Sequence, residues 1–334
     1  MATFIYVQLG DALCKTLVPF AQFNSEKNSS SRHILITSQI DHYKDFNGEV
    51  HYVDIDVIKK YALNFILKHY ERTKVSKGYW IYAIIRFFAI FDFLKSNEIS
   101  FPLIHLESDV LCYIGDQEMV SISSSLYKAG LPRLNHNEGI ASTVIFPNFE
   151  SVNTFISDYS THLNNSTTWV NDMTILGKML NSGQVQELPS FDIKSIKNSI
   201  GLIFDGAAFG QYLLGVDPLH NHGKRISGYK NATYSHNLAL AEWSNDSNQN
   251  LILKFNESGT FRIATLHIHS KTLLALNSFD SVFWQSRLKE ANHIHVRAVY
   301  ELDDTNRMSK YPSFFWKLYF PFKRFLRRNS RYSN

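Results

Sequence analysis

The feature that most constrains this chain is the alternation of short apolar runs with helix-spaced runs across its first hundred residues. Phe4–Leu9, His33–Ser38 and Val50–Asp54 read as strands. Ile55–Tyr70 puts Ile58, Tyr61, Ala62, Phe65 and Ile66 on one face at helical spacing. Tyr79–Leu94 is a second helix, apolar enough to be buried, and Pro102–Leu106 is a short apolar strand. Such a succession buries its strands in a mostly parallel sheet with helices on both faces, an α/β fold. Further along, Ile140–Phe146, Phe261–His269 and His293–Tyr300 read as strands. Ser151–His162, Asp172–Leu180 and Ala207–Leu214 read as helices, and the polar stretch Ser244–Asn250 as a loop. With 334 residues and 44% hydrophobic content, the chain can fill a large core. No Pro/Gly-rich linker divides it, so the expectation is one catalytic domain over residues 1–305 and a terminal tail over 306–334.

The tail differs in kind from the rest. From Lys310 to Asn334 there are seven basic residues and no acidic one, which leaves 27 Lys and Arg against 30 Asp and Glu elsewhere. Phe314, Phe315, Trp316, Tyr319, Phe320, Phe322 and Phe325 interleave with those bases, and Pro321 splits any helix there. Aromatic and basic residues together read as an anchor on an anionic membrane surface. The other reading is a terminal helix docked on the body with a solvated basic face. A nucleic-acid partner is not expected, because the bases crowd one terminal segment and do not cover a folded face. Two cysteines, Cys14 and Cys112, are too few for a disulfide framework, which points to a reducing compartment. The N-terminus has no basic region of the signal-peptide kind, and no apolar run reaches the length of a membrane span. The expected location is cytoplasmic, peripherally associated with the inner face of a membrane.

Two constellations carry chemistry. Glu107-Ser108-Asp109 ends the apolar strand PLIHL, and open α/β sheets bind ligands at the carboxyl ends of their strands. In extended backbone the two carboxylates point the same way and can hold a hard divalent cation against a diphosphate. A strand-ending turn also favours Asp and Ser for conformational reasons alone. The second constellation is Leu266-His267-Ile268-His269-Ser270-Lys271. His267 and His269 share one strand face, as metal ligands or as hydrogen-bonded histidines, and Lys271 can hold phosphate as a point charge. His293 and His295 repeat the spacing, so four histidines could build a zinc site. Asp205 follows the apolar run GLIF, as a group that orients hydroxyls or as a helix cap. Asp172 opens a helix as a cap or as an acceptor-facing base. Arg86 lies in YWIYAIIRFFAIFDFL, as a positive charge for a donor or as the partner of an acid such as Asp92.

In this order the elements resemble the GT-A glycosyltransferases. Glu107-Ser108-Asp109 is similar to the family's DxD-type motif, with Glu in place of the first Asp, and the apolar helix carrying Arg86 precedes it as in many members. FDGAAFGQYL, starting at Phe204, and LHIHSK, starting at Leu266, resemble segments of bacterial and viral surface-glycan transferases. The resemblance runs from Ile5 to Lys271. It implies a Rossmann-like GT-A catalytic domain. It also implies sugar transfer, with retention, from a UDP-linked nucleotide-sugar to a glycan or lipid-linked acceptor. Mn²⁺ or Mg²⁺ would be bound by Asp109 and His269, with His267 beside them and Glu107 acting through water or the ribose. Lys271 and Arg86 would face the donor, and Asp205, Asp172 and Gln211 the reacting sugar. The chain lacks the His-x-x-Gly-x-x-Lys-Pro-Trp ending of the best-known retaining members. The expectation for the site is that Glu107, Asp109 and His269 converge on one cleft. Two other readings are a zinc-dependent hydrolase using His267, His269, His293 and His295, and a non-catalytic membrane-bound carbohydrate- or nucleotide-binding protein.

Overall fold

In the computed structural model the described residues are 1–11, 14, 16–73, 79–190, 201–206, 242–246, 250–255 and 259–268. The first half contains β1 (Thr3–Gln8), α1 (Leu17–Lys27), β2 (Arg32–Thr37), β3 (Glu49–Tyr52), α2 (Ile55–Lys59), α3 (Leu63–Lys68), α4 (Tyr70–Thr73), α5 (Tyr79–Ser96) and β4 (Leu103–Leu106). After it come β5 (Val110–Cys112), α6 (Asp116–Ser124), β6 (Gly130–Asn135), β7 (Glu138–Gly139), β8 (Thr143–Phe146), α7 (Phe149–Asn165), α8 (Asp172–Asn181) and β9 (Gln186–Leu188). The remaining described strands are β10 (Leu202–Phe204), β11 (Glu242–Asn245), β12 (Leu251–Phe255) and β13 (Gly259–His267).

Strand β1 is apolar on both faces, as a strand in the middle of a covered sheet must be. Ile5 packs on one side, with α5 and α7; Phe4 and Tyr6 pack on the other, with α1 and α6. The main sheet runs β3-β2-β1-β4-β8-β6-β7, with β9 beside β6. The four strands β3, β2, β1 and β4 are parallel, whereas β8 joins β4 antiparallel. Helices cover both faces, and the mixed, mostly parallel α/β architecture expected from the alternation is present. A second sheet has the order β10-β13-β12-β11, with β5 on β13. Thr143 Oγ1 of β8 lies 3.0 Å from Thr265 Oγ1 of β13, a buried link between the two sheets.

Helix α5 is the apolar axis of one layer. Ile81, Ile84, Ile85, Phe87, Phe88, Ala89 and Ile90 are all buried, and Phe87 meets Phe155 and Tyr159 of α7 edge-on at 4.9 and 5.3 Å. Helix α7 begins in a capping box: Ser151 N donates to Asn148 Oδ1 at 2.8 Å and Asn148 N donates back to Ser151 Oγ. This starts the helix two residues before the Ser151 read from the sequence.

Two expectations need correction. Ile55–Tyr70 is not one helix but α2, a 3₁₀ turn over Lys60–Ala62, α3 and α4, with Ala62 leaving helical geometry at φ −116° and ψ 18°. One tight turn keeps Ile58, Ala62 and Phe65 on the buried side, so apolar spacing alone cannot reveal the break. Ser244 and Asn245 belong to β11, paired with Ile252 and Leu251 of β12, and residues 247–249 lie outside the described residues. Polar composition marked them as loop, but an edge strand tolerates polar residues. The expected helix Ala207–Leu214, the strand His293–Tyr300 and the tail lie outside the described residues. Among the described residues no helix is long and apolar enough to cross a membrane.

Candidate metal centre

The chain changes sheets at Glu107-Ser108-Asp109. β4 ends in the main sheet at Leu106, and Val110 N donates to Glu107 O at 3.2 Å, closing a tight turn. β5 then enters the second sheet, where His267 pairs with Val110 and Ile268 N donates to Asp109 O at 2.8 Å. The acid triplet is therefore a turn and not the extended segment expected. The reversal is what gathers its carboxylates, and the β5–β13 register sets His267 against them.

The resulting cluster is Glu107, Asp109 and His267, one ligand atom from each lying within 4.8 Å of the others. His267 Nε2 is 3.2 Å from Asp109 Oδ1 and 3.4 Å from Glu107 Oε2. The imidazole is buried, whereas both carboxylates keep 16% of their side-chain surface open to solvent. A buried nitrogen behind two partly open carboxylates leaves coordination positions on the solvent side. The donor set of oxygens plus one imidazole suits a divalent cation such as Mn²⁺.

Behind the cluster stands Arg86. Its Nη1 pairs with Glu107 Oε1, its Nη2 lies 2.8 Å from Asp172 Oδ2, and its Nε donates to Ala83 O at 2.9 Å. Asp205 is fully buried at the end of β10, its carboxylate accepting from His267 N at 3.2 Å. Four carboxylates thus surround one guanidinium and one imidazole. Even with the imidazole protonated, negative charge is in excess, an environment built for a cation.

Electrostatics report the same crowding. Burial opposes a charge on His267, but Asp109, Glu107 and Asp205 overcome it and push the imidazole up to about 9. Burial likewise opposes ionisation of Glu107, yet Arg86 and His267 outweigh it and hold the carboxyl below its ordinary value. Asp172 is raised by burial, which Arg86 offsets only in part. A cation bound at His267 must displace the imidazole proton, so affinity should rise with pH up to about 9 and then level off. The expected slope is about tenfold per pH unit for one displaced proton. Calorimetric Mn²⁺ titrations at pH 6.5, 7.5 and 8.5, in buffers of different ionisation heat, measure both the slope and the released proton. An affinity that does not change over this range contradicts ligation by His267.

No family model and no curated protein matches this chain. Solved structures with some likeness include several glycosyltransferases. The PaToxG glycosyltransferase has 11% identity and a TM-score of 0.36, over 59% of this chain and 72% of that one. Mouse xyloside xylosyltransferase 1 has 10% identity and a TM-score of 0.38, over 60% and 90%. The galactosyltransferase LgtC, solved with donor and acceptor sugar analogs, has 11% identity and a TM-score of 0.38, over 65% and 81%. At such values likeness carries no argument about activity, and what this chain does is read from its own side chains.

Those side chains revise several readings. Arg86 does not pair with Asp92, which is six residues along the helix and so faces another way; Asp92 accepts from Tyr61 Oη at 2.6 Å. Asp172 is not the helix cap. Asn171 caps α8 by accepting from Thr174 N at 2.9 Å, and the Asp172 carboxylate, 4% exposed, turns to Arg86. His269, Lys271, Gln211, His293 and His295 lie outside the described residues. The bridge Glu107–Arg86–Asp172 was not read from the sequence. Its signal was present: a lone guanidinium among buried apolar neighbours on α5 needs acids from elsewhere in the fold.

Proposed function

We propose that this chain is a metal-dependent glycosyltransferase of the GT-A type. In this reading it moves a sugar, with retention, from a UDP-linked nucleotide-sugar to a glycan or lipid-linked acceptor. The observation that carries the reading is the Glu107–Asp109–His267 cluster at the carboxyl end of β4, with its excess of negative charge. A mononucleotide diphosphate is itself anionic, and it binds at an acidic turn only through a shared cation. Asp109 and His267 are the proposed ligands, with Glu107 turned toward the same point by Arg86. The ion, when bound, supplies positive charge to the leaving diphosphate.

The remaining roles belong to the chain. Arg86 fixes the rotamer of Glu107 and neutralises part of its charge. Asp172 holds Arg86 from the far side and is a positioning residue. Asp205 holds the backbone of His267 and so fixes where β13 delivers the ring. His269, Lys271 and Gln211 remain proposed as an additional ligand, a phosphate contact and a sugar contact.

Hydrolysis of free donor tests the reaction, since transferases of this kind leak sugar to water. A panel of nucleotide-sugars is incubated with the full chain and Mn²⁺ or EDTA. Release of free sugar from at least one donor, only with metal, is the expected result. Tight stoichiometric zinc with no donor hydrolysis favours the hydrolase reading, and donor binding without any turnover favours a recognition protein.

The segment from Lys310 onward is proposed to bring the enzyme to anionic membranes, each basic residue near such a surface contributing about 1 kcal/mol. Full-length protein should co-sediment with phosphatidylglycerol vesicles in low salt, and a chain ending before Lys310 should bind much less. Equal sedimentation of both contradicts this role. Free-donor hydrolysis should be equal in the two forms, because the tail contributes nothing to the cluster's chemistry.

A further inference from the structure

Helix α1 buries Leu17, Phe20, Ala21 and Asn24 on one side. The first three are what a buried helix face requires, but the fourth is a carboxamide with no exposed surface. Such a group is stable inside a protein only when its donors and its acceptor are met. Both hydrogens of Asn24 Nδ2 are used, one on Val110 O at 3.0 Å and one on Tyr6 Oη at 3.2 Å. Asn24 Oδ1 accepts from Cys112 N at 2.7 Å. These partners fix which way the amide points, since a flipped group would set its oxygen against the Val110 carbonyl.

Val110 and Cys112 are the two ends of β5, a strand of three residues. Among the described residues its one neighbouring strand is β13. Ile268 N donates to Asp109 O, and Tyr113 N to Ala264 O, both at 2.8 Å. Those bonds leave from one edge of the segment, and the Val110 carbonyl and the Cys112 amide leave from the other. There Asn24 donates to the first and accepts from the second, as a single residue of a parallel neighbouring strand would. Val110 and Cys112 are fully buried, so without Asn24 two backbone groups would be left without water or partner.

Strand β5 also carries the acid turn. Asp109 directly precedes it, and Val110 N closes the turn on Glu107 O at 3.2 Å. The 3.2 Å between Asp109 Oδ1 and His267 Nε2 therefore depends on how β5 lies against β13. A ladder of three residue pairs is at the short end for holding a strand in place. Asn24 adds a constraint from the opposite edge. Its third partner, Tyr6, belongs to β1 in the middle of the main sheet, so the clamp ties the turn to the most covered part of the fold.

We propose that Asn24 is a positioning residue of the metal centre. Its carboxamide holds β5 against β13 from the far edge and so keeps Glu107 and Asp109 facing His267. The inference rests on the metal reading of the cluster only for its effect on cation binding.

The test compares Asn24→Leu, Asn24→Ala and a control, Ile58→Ala, each in the full chain. Leu fills the space and leaves Val110 O and Cys112 N unmet. Ala is the milder change, because it leaves room for water to meet both, but water does not tie β5 to α1. Ile58 is buried on α2, outside the cluster, and its truncation lowers stability without touching β5. Calorimetric titration with Mn²⁺ should show affinity weakened about tenfold or more in the Asn24 variants, the range for losing a group that orients a ligand. Ile58→Ala should bind Mn²⁺ like wild type. Hydrogen exchange of the metal-free proteins should show the Cys112 and Ile268 amides speeding up relative to those of β1 in the Asn24 variants and not in Ile58→Ala. Wild-type Mn²⁺ affinity in both Asn24 variants, or an equal loss in Ile58→Ala, overturns the proposal. So does exchange at Ile268 that rises only in step with β1. If the wild type binds no Mn²⁺, the metal reading fails and exchange alone decides the clamp: selective loss of protection at Ile268 upholds it, and its absence overturns it.

Discussion

Asp109→Asn is expected to abolish donor turnover and to weaken Mn²⁺ binding by more than about a hundredfold, the upper range for losing a mere supporting contact. The substitution keeps the shape of a side chain that is 16% exposed, so the core is not emptied. What it removes is the charge nearest to His267, at 3.2 Å. Two consequences follow from that single loss. The cation loses a ligand, and the imidazole loses the main influence that raises it, so its value should fall from about 9 toward the ordinary range. Thermal unfolding of the apo protein separates folding from chemistry: a cooperative transition close to wild type, with no turnover in Mn²⁺, is the expected pair of results. Full activity in Mn²⁺ contradicts the assignment of Asp109.

The second large effect is expected at Arg86, and it falls on stability. Arg86→Met leaves Glu107 and Asp172 facing one another with their shared counter-charge gone. Breaking a buried pair from one side costs roughly 3–5 kcal/mol, because the charge left behind stays buried. Arg86→Lys should recover only part of this, since a point charge cannot reach two carboxylates and the Ala83 carbonyl with separate donors. The pH dependence has a definite sign. Without the guanidinium both carboxyls rise from their wild-type values, so the folded variant binds protons more readily than the folded wild type. Stability of Arg86→Met relative to wild type should therefore improve as pH falls through the raised range and be worst at neutral and higher pH. Urea unfolding at pH 5 and pH 8 checks this. A gap between variant and wild type that is equal at both pH values contradicts the charge account.

These two residues also show where the sequence was informative. The parallel half of the sheet was legible because β1, β2 and β4 are apolar on both faces and are separated by helix-spaced runs, a pattern that only a covered sheet satisfies. The acid pair was legible for its position after β4. Its geometry was not: three residues of β5 are too short a run to betray that the chain reverses and enters a second sheet. For the same reason the partner histidine could not be chosen. The alternating pattern makes His267 and His269 equivalent in the sequence, and only the pairing of His267 with Val110 sets His267 beside the turn. The partners of Arg86 lie 21 and 86 residues away, in the turn after β4 and on α8, a relation that no local spacing encodes. Asp172 looked like a cap because it opens α8, and Asn171 before it does the capping.

The central claim is that one divalent cation joins the Glu107–Asp109–His267 cluster to a nucleoside diphosphate. Pulsed electron paramagnetic resonance of the full chain with one equivalent of Mn²⁺ and UDP reads this on the ion itself. The account predicts a nitrogen coupling from imidazole and a phosphorus coupling from the diphosphate on the same Mn²⁺, with the nitrogen coupling lost in His267→Gln. A Mn²⁺ spectrum with phosphorus but no protein nitrogen, or one that stays fully aquated, contradicts it.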